Sequence, residues 1–255
     1  MATGALERPL VFPNNDRPGV MLATAVSGYL HRYGVLAGNH IVIFTNNSIG
    51  HRTAVDISKT SAEIVTIVDS RTECFSPWEK ATSEIGIPIR WQSTVRNTKG
   101  RLNLNRVLVH STNGQHREWL DCDLLAMSGG LSPTINLSAH TGGKAVWEKS
   151  RGVFLPDTHE NDFEAVGLCG GDESLQDCLV NGYMTGQSVA SNLGYQSGPS
   201  WSPTVDGDDP LASEDAPLPM SRHSQASIAF VDLSLIHISE PTRPRLISYA
   251  VFCLK

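Results

Sequence analysis

Ile41-Val42-Ile43-Phe44-Thr45-Asn46-Asn47-Ser48-Ile49-Gly50 opens a stretch that closes with Ile64-Val65-Thr66-Ile67-Val68-Asp69, and its reading decides the fold. Each apolar run is short, unbroken and rich in β-branched residues, which suits a strand covered on both faces. Between them lie the polar turn Thr45 to Gly50 and helical spacing from about His51 to Lys59. Strand, turn, helix and strand fit into roughly thirty residues, the length that a parallel βαβ crossover needs.

In such a unit the turn after the first strand places helix N-terminal N–H groups where a dinucleotide pyrophosphate can sit. Thr45, Asn46 and Asn47 are therefore candidate binding residues. Asp69 closes the second strand, where a carboxylate can accept both ribose hydroxyls of NAD and repel a 2'-phosphate. The turn has one glycine, Gly50, where the usual fingerprint has three, so the pattern alone fits a nucleotide site and a plain βαβ unit equally well.

Outward from this unit, helical spacing is predicted from Val20 through Tyr33, and a helix from Pro77 to about Ile85 precedes a third strand at Ile87 to Trp91. Shorter strands follow, broken at Asn97 to Gly100, with Val107 to His110 leading to the hairpin signal Asn113-Gly114. Asp123 to Ser128 reads as a buried strand entering Gly129-Gly130. Residues 131–147 are loop-like in composition. Ala165-Val166-Gly167 reads as a short strand before Gly170-Gly171, and a helix is expected from about Ser174 to Leu193. Gly-rich strand ends on an open α/β sheet are places for ligands, although ordinary turns use glycine too. Asp172 and Glu173 are expected to complement the dipole of that last helix.

The 255 residues carry a formal net charge of −6, with 40% hydrophobic and 18% charged residues. That composition belongs to a globular protein and supplies no basic field for nucleic acid. No apolar run is long enough for a membrane span and no basic-apolar leader opens the chain, so a cytoplasmic protein is expected. The five cysteines form no CxxC pair, which argues against a zinc knuckle or a redox disulfide. The nine histidines show neither HxH nor HExxH spacing, and no metal site is expected. Ser128 lacks the GxSxG frame of a nucleophile elbow.

Ala2-Thr3-Gly4-Ala5, Glu7-Arg8-Pro9-Leu10-Val11-Phe12 and Asn15-Asp16-Arg17-Pro18-Gly19-Val20-Met21-Leu22-Ala23 resemble the middle of the alpha subunit of heterotetrameric sarcosine oxidase. Phe44-Thr45-Asn46-Asn47, Ser128-Gly129-Gly130, Gly142-Gly143-Lys144 and Phe230-Val231-Asp232 continue the resemblance in order. It implies an α/β fold of the two-dinucleotide-binding flavoprotein type, with an NAD-type βαβ domain inserted between remnants of an incomplete FAD domain. It also implies a subunit of an enzyme that demethylates sarcosine oxidatively to glycine, with oxygen as electron acceptor. FAD and NAD would lie on this subunit, FMN on a beta subunit, and folate would accept the one-carbon unit; gamma and delta subunits complete the complex. Carried over by motif position, Thr3 and Gly4 fall on the flavin side, Thr45, Asn46, Asn47 and Asp69 on the nicotinamide side, and Gly167 and Gly171 near the flavin again. No catalytic residue is assigned.

The expected division is a flavin-domain remnant at 1–34, an NAD-type domain at 35–122, a returning flavin portion at 123–196 and a Pro-rich acidic arm at 197–232. The flavin domain's opening βαβ unit is expected upstream of Met1. Residues 233–255, from Leu233-Ser234-Leu235-Ile236-His237 onward, look like a translated sequencing adapter. On this reading the chain lacks a complete catalytic centre and is inactive alone. Rival readings are a related amine or opine dehydrogenase, a hydrogen cyanide synthase subunit, and a non-catalytic nucleotide-binding scaffold.

Overall fold

A computed structural model describes residues 1–73, 76–114, 116–140, 142–157, 163–195, 203–205 and 229. The expected acidic arm and adapter-like tail fall almost wholly outside these residues. The chain opens with strand β1 (Ala5–Glu7), then β2 (Val20–Leu22), helix α1 (Ala23–Tyr33), β3 (His40–Thr45), α2 (Ser48–Ser58), β4 (Glu63–Asp69) and α3 (Pro77–Ile85). Next come β5 (Ile89–Arg90), β6 (Ser93–Lys99), β7 (Arg106–Ser111), β8 (Arg117–Asp121) and β9 (Leu124–Ser128). The remainder is β10 (Leu131–Pro133), α4 (Asn136–His140), β11 (Ala145–Glu148), β12 (Val153–Pro156), a 3-10 turn at Gly167–Cys169, and α5 (Leu175–Asn192).

The chain forms two compact units, Glu7–Gly130 building one and Met1–Leu6 with the segment from Leu131 building the other. The first is wider at both ends than the expected 35–122, because its central sheet has the strand order β2-β9-β3-β4-β5. Every pairing in that sheet is parallel. Strands from before residue 35 and after residue 122 thus complete it. The α/β class with a parallel sheet is as the sequence predicts.

Strand β3 lies inside this sheet, and its alternate side chains serve two cores. Ile41 and Ile43 join Val26 of α1, Ala54 and Ile57 of α2, Ile67, Leu124 and Ala126 on the helical face. Val42 and Phe44 face the other way, into a cluster with Leu10, Phe12, Val68, Val95, Val107, Val109 and Leu125. The antiparallel sheet β6-β7-β8 supplies much of that second layer. Burying four such side chains contributes roughly 1.5–3 kcal/mol each before chain entropy is set against it.

Several boundaries differ from the expectation. Val20–Leu22 form a strand rather than a first helical turn, because they pair with Leu125, Ala126 and Met127 of β9. Strand β6 runs on through Asn97 by shifting register between Val95 and Asn97, and ends before Gly100. At Gly100, φ is 157° and a side chain would strike the Asn103 carbonyl, so the break falls there. The hairpin at Asn113-Gly114 joins β7 to β8 as expected, with Gly114 at φ 77°.

In the second unit, residues 131–147 contain β10, α4 and the start of a β11-β12 hairpin, where loop was expected. Strand β1 pairs with β10. The short strand expected at Ala165 to Gly167 is absent; Val166 is extended, but Gly167 turns to φ 73° and starts the 3-10 turn. Helix α5 begins after Ser174, whose hydroxyl accepts from the Asp177 N–H at 2.9 Å. Asp172 and Glu173 precede that cap and have partners of their own. Asp172 accepts from Gly167 N and Asn181 Nδ2, both at 2.7 Å, and Glu173 pairs with Arg151 at 3.1 Å.

Gly50 lies in the first turn of α2, where a Cβ would come within 2.6 Å of Thr45 Cβ. Gly50→Ala is expected to force α2 off β3 and cost about 1–3 kcal/mol, read as a fall in melting temperature.

Candidate functional site

The sheet order places β9 on one side of β3 and β4 on the other, all parallel, so the carboxyl ends of these three strands lie side by side. Ligands of open α/β sheets bind outside the strand carboxyl ends. The last residues in register across the β3/β9 boundary are Thr45 and Ser128.

Asn47 ties this boundary together. It is the N-cap of α2, and its Oδ1 accepts from Ile49 N at 2.9 Å and from the Ser128 hydroxyl at 3.2 Å. Its Nδ2 donates to Asn46 Oδ1 at 2.9 Å and to the Ser128 carbonyl at 3.1 Å. Thr45 closes the same turn, its hydroxyl donating to the Asn47 carbonyl at 2.8 Å and accepting from Asn47 N at 3.1 Å. The capped Asn47 starts the helix at Ser48, three residues before the expected His51. The three polar side chains are buried and bonded within the turn and across to Ser128.

The turn keeps the spacing of a Gly-x-Gly-x-x-Gly fingerprint, with Thr45 and Asn47 in the first two glycine positions and Gly50 in the third. The third position serves close helix–strand packing, and the 2.6 Å approach at Gly50 keeps that function. Asn47 has φ −156°, which any residue adopts, so glycine is not required there. The turn therefore fits a dinucleotide pyrophosphate at the N-terminus of α2.

Two residues that sequence reasoning missed line the same strand ends. Arg8 N donates to the Gly130 carbonyl and Gly129 N to the Arg8 carbonyl, both at 2.8 Å. Gly130, at φ 87°, brings its backbone near the Arg8 guanidinium and the Asn47 amide. Glu7 Oε2 accepts from Thr24 N at 2.9 Å and Thr24 Oγ1 at 2.5 Å. Burial pushes the Glu7 carboxyl above its ordinary range, against hydrogen bonds from Thr24 and Ser128. The Glu7-Arg8 pair was visible in the sequence, but only the return of β9 gives it a place.

Asp69 closes β4 as expected, yet its carboxylate is turned into the protein. Its Oδ2 accepts from His51 Nε2 at 3.0 Å and Arg71 Nη2 at 2.8 Å, and its Oδ1 from Arg71 N at 2.9 Å. The expectation that both oxygens receive a ribose is thereby corrected: in this arrangement protein donors take them, and Asp69 is fully buried. His51 Nδ1 lies 3.0 Å from Thr82 Oγ1 and its ring stacks on Trp91. Arg71 Nη2 also donates to Glu79 Oε1 at 2.7 Å. Burial would raise Asp69, but hydrogen bonds from His51 and Arg71 and the Arg71 charge hold it below the usual carboxylate range. His51 and Glu79 carried no signal in the sequence, since nothing in their spacing indicates that α2 and α3 meet at the end of β4.

The flavin-side candidates lie in the second unit. Thr3 Oγ1 donates to the Thr134 carbonyl at 2.5 Å, and the Gly4 carbonyl accepts from Thr134 N at 2.9 Å. Val166 N donates to the Met1 carbonyl at 3.0 Å, which brings the Thr3-Gly4 segment beside the turn containing Gly167 and Gly171. Both of these glycines have positive φ. Burial pushes the Cys122 thiol up to about 12, aided by Asp123 and Asp121, so it stays protonated at neutral pH. Among the described residues no group of three or more His, Cys, Asp or Glu is placed to hold a metal ion, and no helix is long and apolar enough to cross a membrane.

The fold is that of oxidoreductases built like thioredoxin reductase. The Rhodopseudomonas palustris ferredoxin reductase superposes with a TM-score of 0.54 at 18% identity, over 79% of this chain and 52% of that one. L-proline dehydrogenase from P. horikoshii gives 0.52 at 19%, over 77% and 35% of the two chains. Thioredoxin reductase from T. acidophilum gives 0.51 at 16%, over 67% and 56%.

In sequence the chain is similar to sarcosine oxidase subunit alpha, as its motifs predict. It is 35% identical over 218 residues to the Rhizobium meliloti subunit and 34% identical over 203 residues to that of Corynebacterium sp. strain P-1. These alignments cover 86% and 77% of this chain and 21% of either relative. The chain thus spans about a fifth of the length of the curated relatives it matches. No family model matches it.

Asp69→Asn removes one partner from a buried ion pair and is expected to cost about 3–5 kcal/mol at neutral pH. Because the folded Asp69 value lies below 3.8, its contribution is present above that pH and is lost as pH falls through the folded value. Denaturant melts of both proteins should therefore differ at pH 7 and converge in acid.

Proposed function

We propose that the chain is the dinucleotide-holding part of an oxidoreductase subunit of the sarcosine oxidase alpha type, with NAD bound at the β3/β9 crevice. The observation that carries this reading is the Asn47 lock: a capped helix N-terminus lies at the carboxyl end of β3 with the last fingerprint glycine in place. Thr45, Asn46 and Asn47 shape the turn beneath the pyrophosphate, and the N-terminus of α2 offers it N–H groups and a positive dipole end. When bound, the nicotinamide supplies hydride transfer.

Thr3, Gly4, Gly167 and Gly171 are proposed to approach FAD in the second unit. Their positive-φ glycines fit a backbone that must come near a ligand. The complete enzyme would carry out oxidative demethylation of sarcosine, with FMN chemistry on a beta subunit, folate accepting the one-carbon unit, and gamma and delta subunits as further partners. The 35% identity over most of the chain supports this reading above the amine dehydrogenase and hydrogen cyanide synthase alternatives. The chain by itself is proposed to be inactive.

Calorimetric titration with NAD tests the site directly. The chain is expected to bind it, and Asn47→Asp, which keeps the cap acceptor but gives up both Nδ2 donations and adds a negative charge beneath the pyrophosphate, should weaken binding by at least about tenfold. Absence of heat with the unmutated chain would leave only the scaffold reading. The purified chain is expected to carry no stoichiometric flavin absorbance; a yellow protein with one flavin per chain would refute that part.

A further inference from the structure

The antiparallel sheet β6-β7-β8 turns one face to the core and the other to solvent. Val95, Val107, Val109 and Leu120 fill the core side, and Glu118 shares it, pairing with Arg90 at 2.7 Å. Alternation then puts Arg96 and Lys99 of β6, Arg106 of β7 and Arg117, Trp119 and Asp121 of β8 on the solvent side. Lys99 Nζ stands over the Trp119 ring, 4.4 Å from its centroid, so the two share a face in spite of the register shift in β6. Arg106 Nε donates to Asp121 Oδ1 at 2.6 Å, and Asp121 is the one acid on this face among the described residues. Lys99, Arg106 and Arg117 are exposed; Arg96 is half-buried, and its Nε has no hydrogen-bond partner.

We propose that this solvent face docks an acidic segment of a partner protein. Four cations and one acid give it a net +3, whereas the whole chain carries −6, so the other residues sum to −9. Carboxylates are the planar acceptors that a guanidinium takes bidentately. An apolar side chain of the same segment covers Trp119, and Leu102, 79% exposed in the turn joining β6 to β7, extends that contact. Arginine and tryptophan together are the residue types that carry binding energy at protein interfaces. The charge elsewhere selects the occupant. A nucleic-acid backbone or an anionic bilayer reaches past a three-stranded sheet about 10 Å wide and meets the acidic remainder of the chain, which repels it. A short acidic segment stays within the patch.

Fluorescence anisotropy of a dye-labelled deca-glutamate peptide, titrated with the full 255-residue chain in about 50 mM salt, tests this. Binding is expected, with affinity falling at least about tenfold in about 200 mM salt, and deca-glutamine should not bind. Lys99→Glu combined with Arg117→Glu should weaken binding by at least about tenfold. Lys149→Glu, a charge reversal at an exposed residue outside this sheet, should leave it within about twofold.

Absence of binding by the unmutated chain overturns the proposal, and so does an equal loss in the face variant and the Lys149 control. Tighter binding of oligothymidylate or of phosphatidylserine vesicles than of the peptide overturns the choice of occupant. So does a dimer, by sedimentation velocity at low salt, that the face substitutions dissolve, since a second copy would then cover the sheet. Should the face variant not fold, by circular dichroism, the salt dependence of the unmutated chain decides: undiminished affinity overturns the proposal, and the expected loss upholds it.

Discussion

From Ile41 to Thr45, strand β3 has no face left for water. Ile41 and Ile43 are fixed by helices on one side, Val42 and Phe44 by the antiparallel sheet and Phe12 on the other, and β4 and β9 take its two edges. A strand held on four sides delivers its last residue to one place, and the position of Thr45 follows. The turn from Thr45 to Asn47, the cap on α2 and the contact with Ser128 all depend on that delivery.

The Asn47 amide converts this packing into a shaped site. Both of its donors and its carbonyl oxygen are used within the turn and across to β9, so the turn cannot shift without breaking buried hydrogen bonds. Unmade bonds of this kind are costly in a low-dielectric interior. Rigidity is thereby obtained from side-chain bonding where the glycine fingerprint obtains close approach from missing side chains. Gly50 remains because helix and strand are in contact there and no side chain fits between them.

A second buried polar group lies at the end of β4, and its character is ionic. Asp69, Arg71, Glu79 and His51 join β4, α2 and α3 through bonds of 2.7 to 3.0 Å. Such a cluster is expensive to bury unless each member has partners.

The apolar runs of β3, β4 and β9, the helix after Pro77 and the Asn113-Gly114 hairpin were legible in the sequence, because local pattern and turn chemistry suffice to specify them. The ordered motifs carried the likeness to sarcosine oxidase alpha subunits for the same reason: they are linear. What only the tertiary structure decided involves partners far apart in the chain. Val20–Leu22 read as helix until β9, a hundred residues later, offers them a parallel edge. Glu7 and Arg8 have no meaning until Gly129 and Gly130 return beside them. Asp69 closes β4 at the residue its sequence indicates, but the direction of its carboxylate was set by His51 and Arg71, since a buried charge turns toward the nearest donors, and no one-dimensional pattern records where those lie.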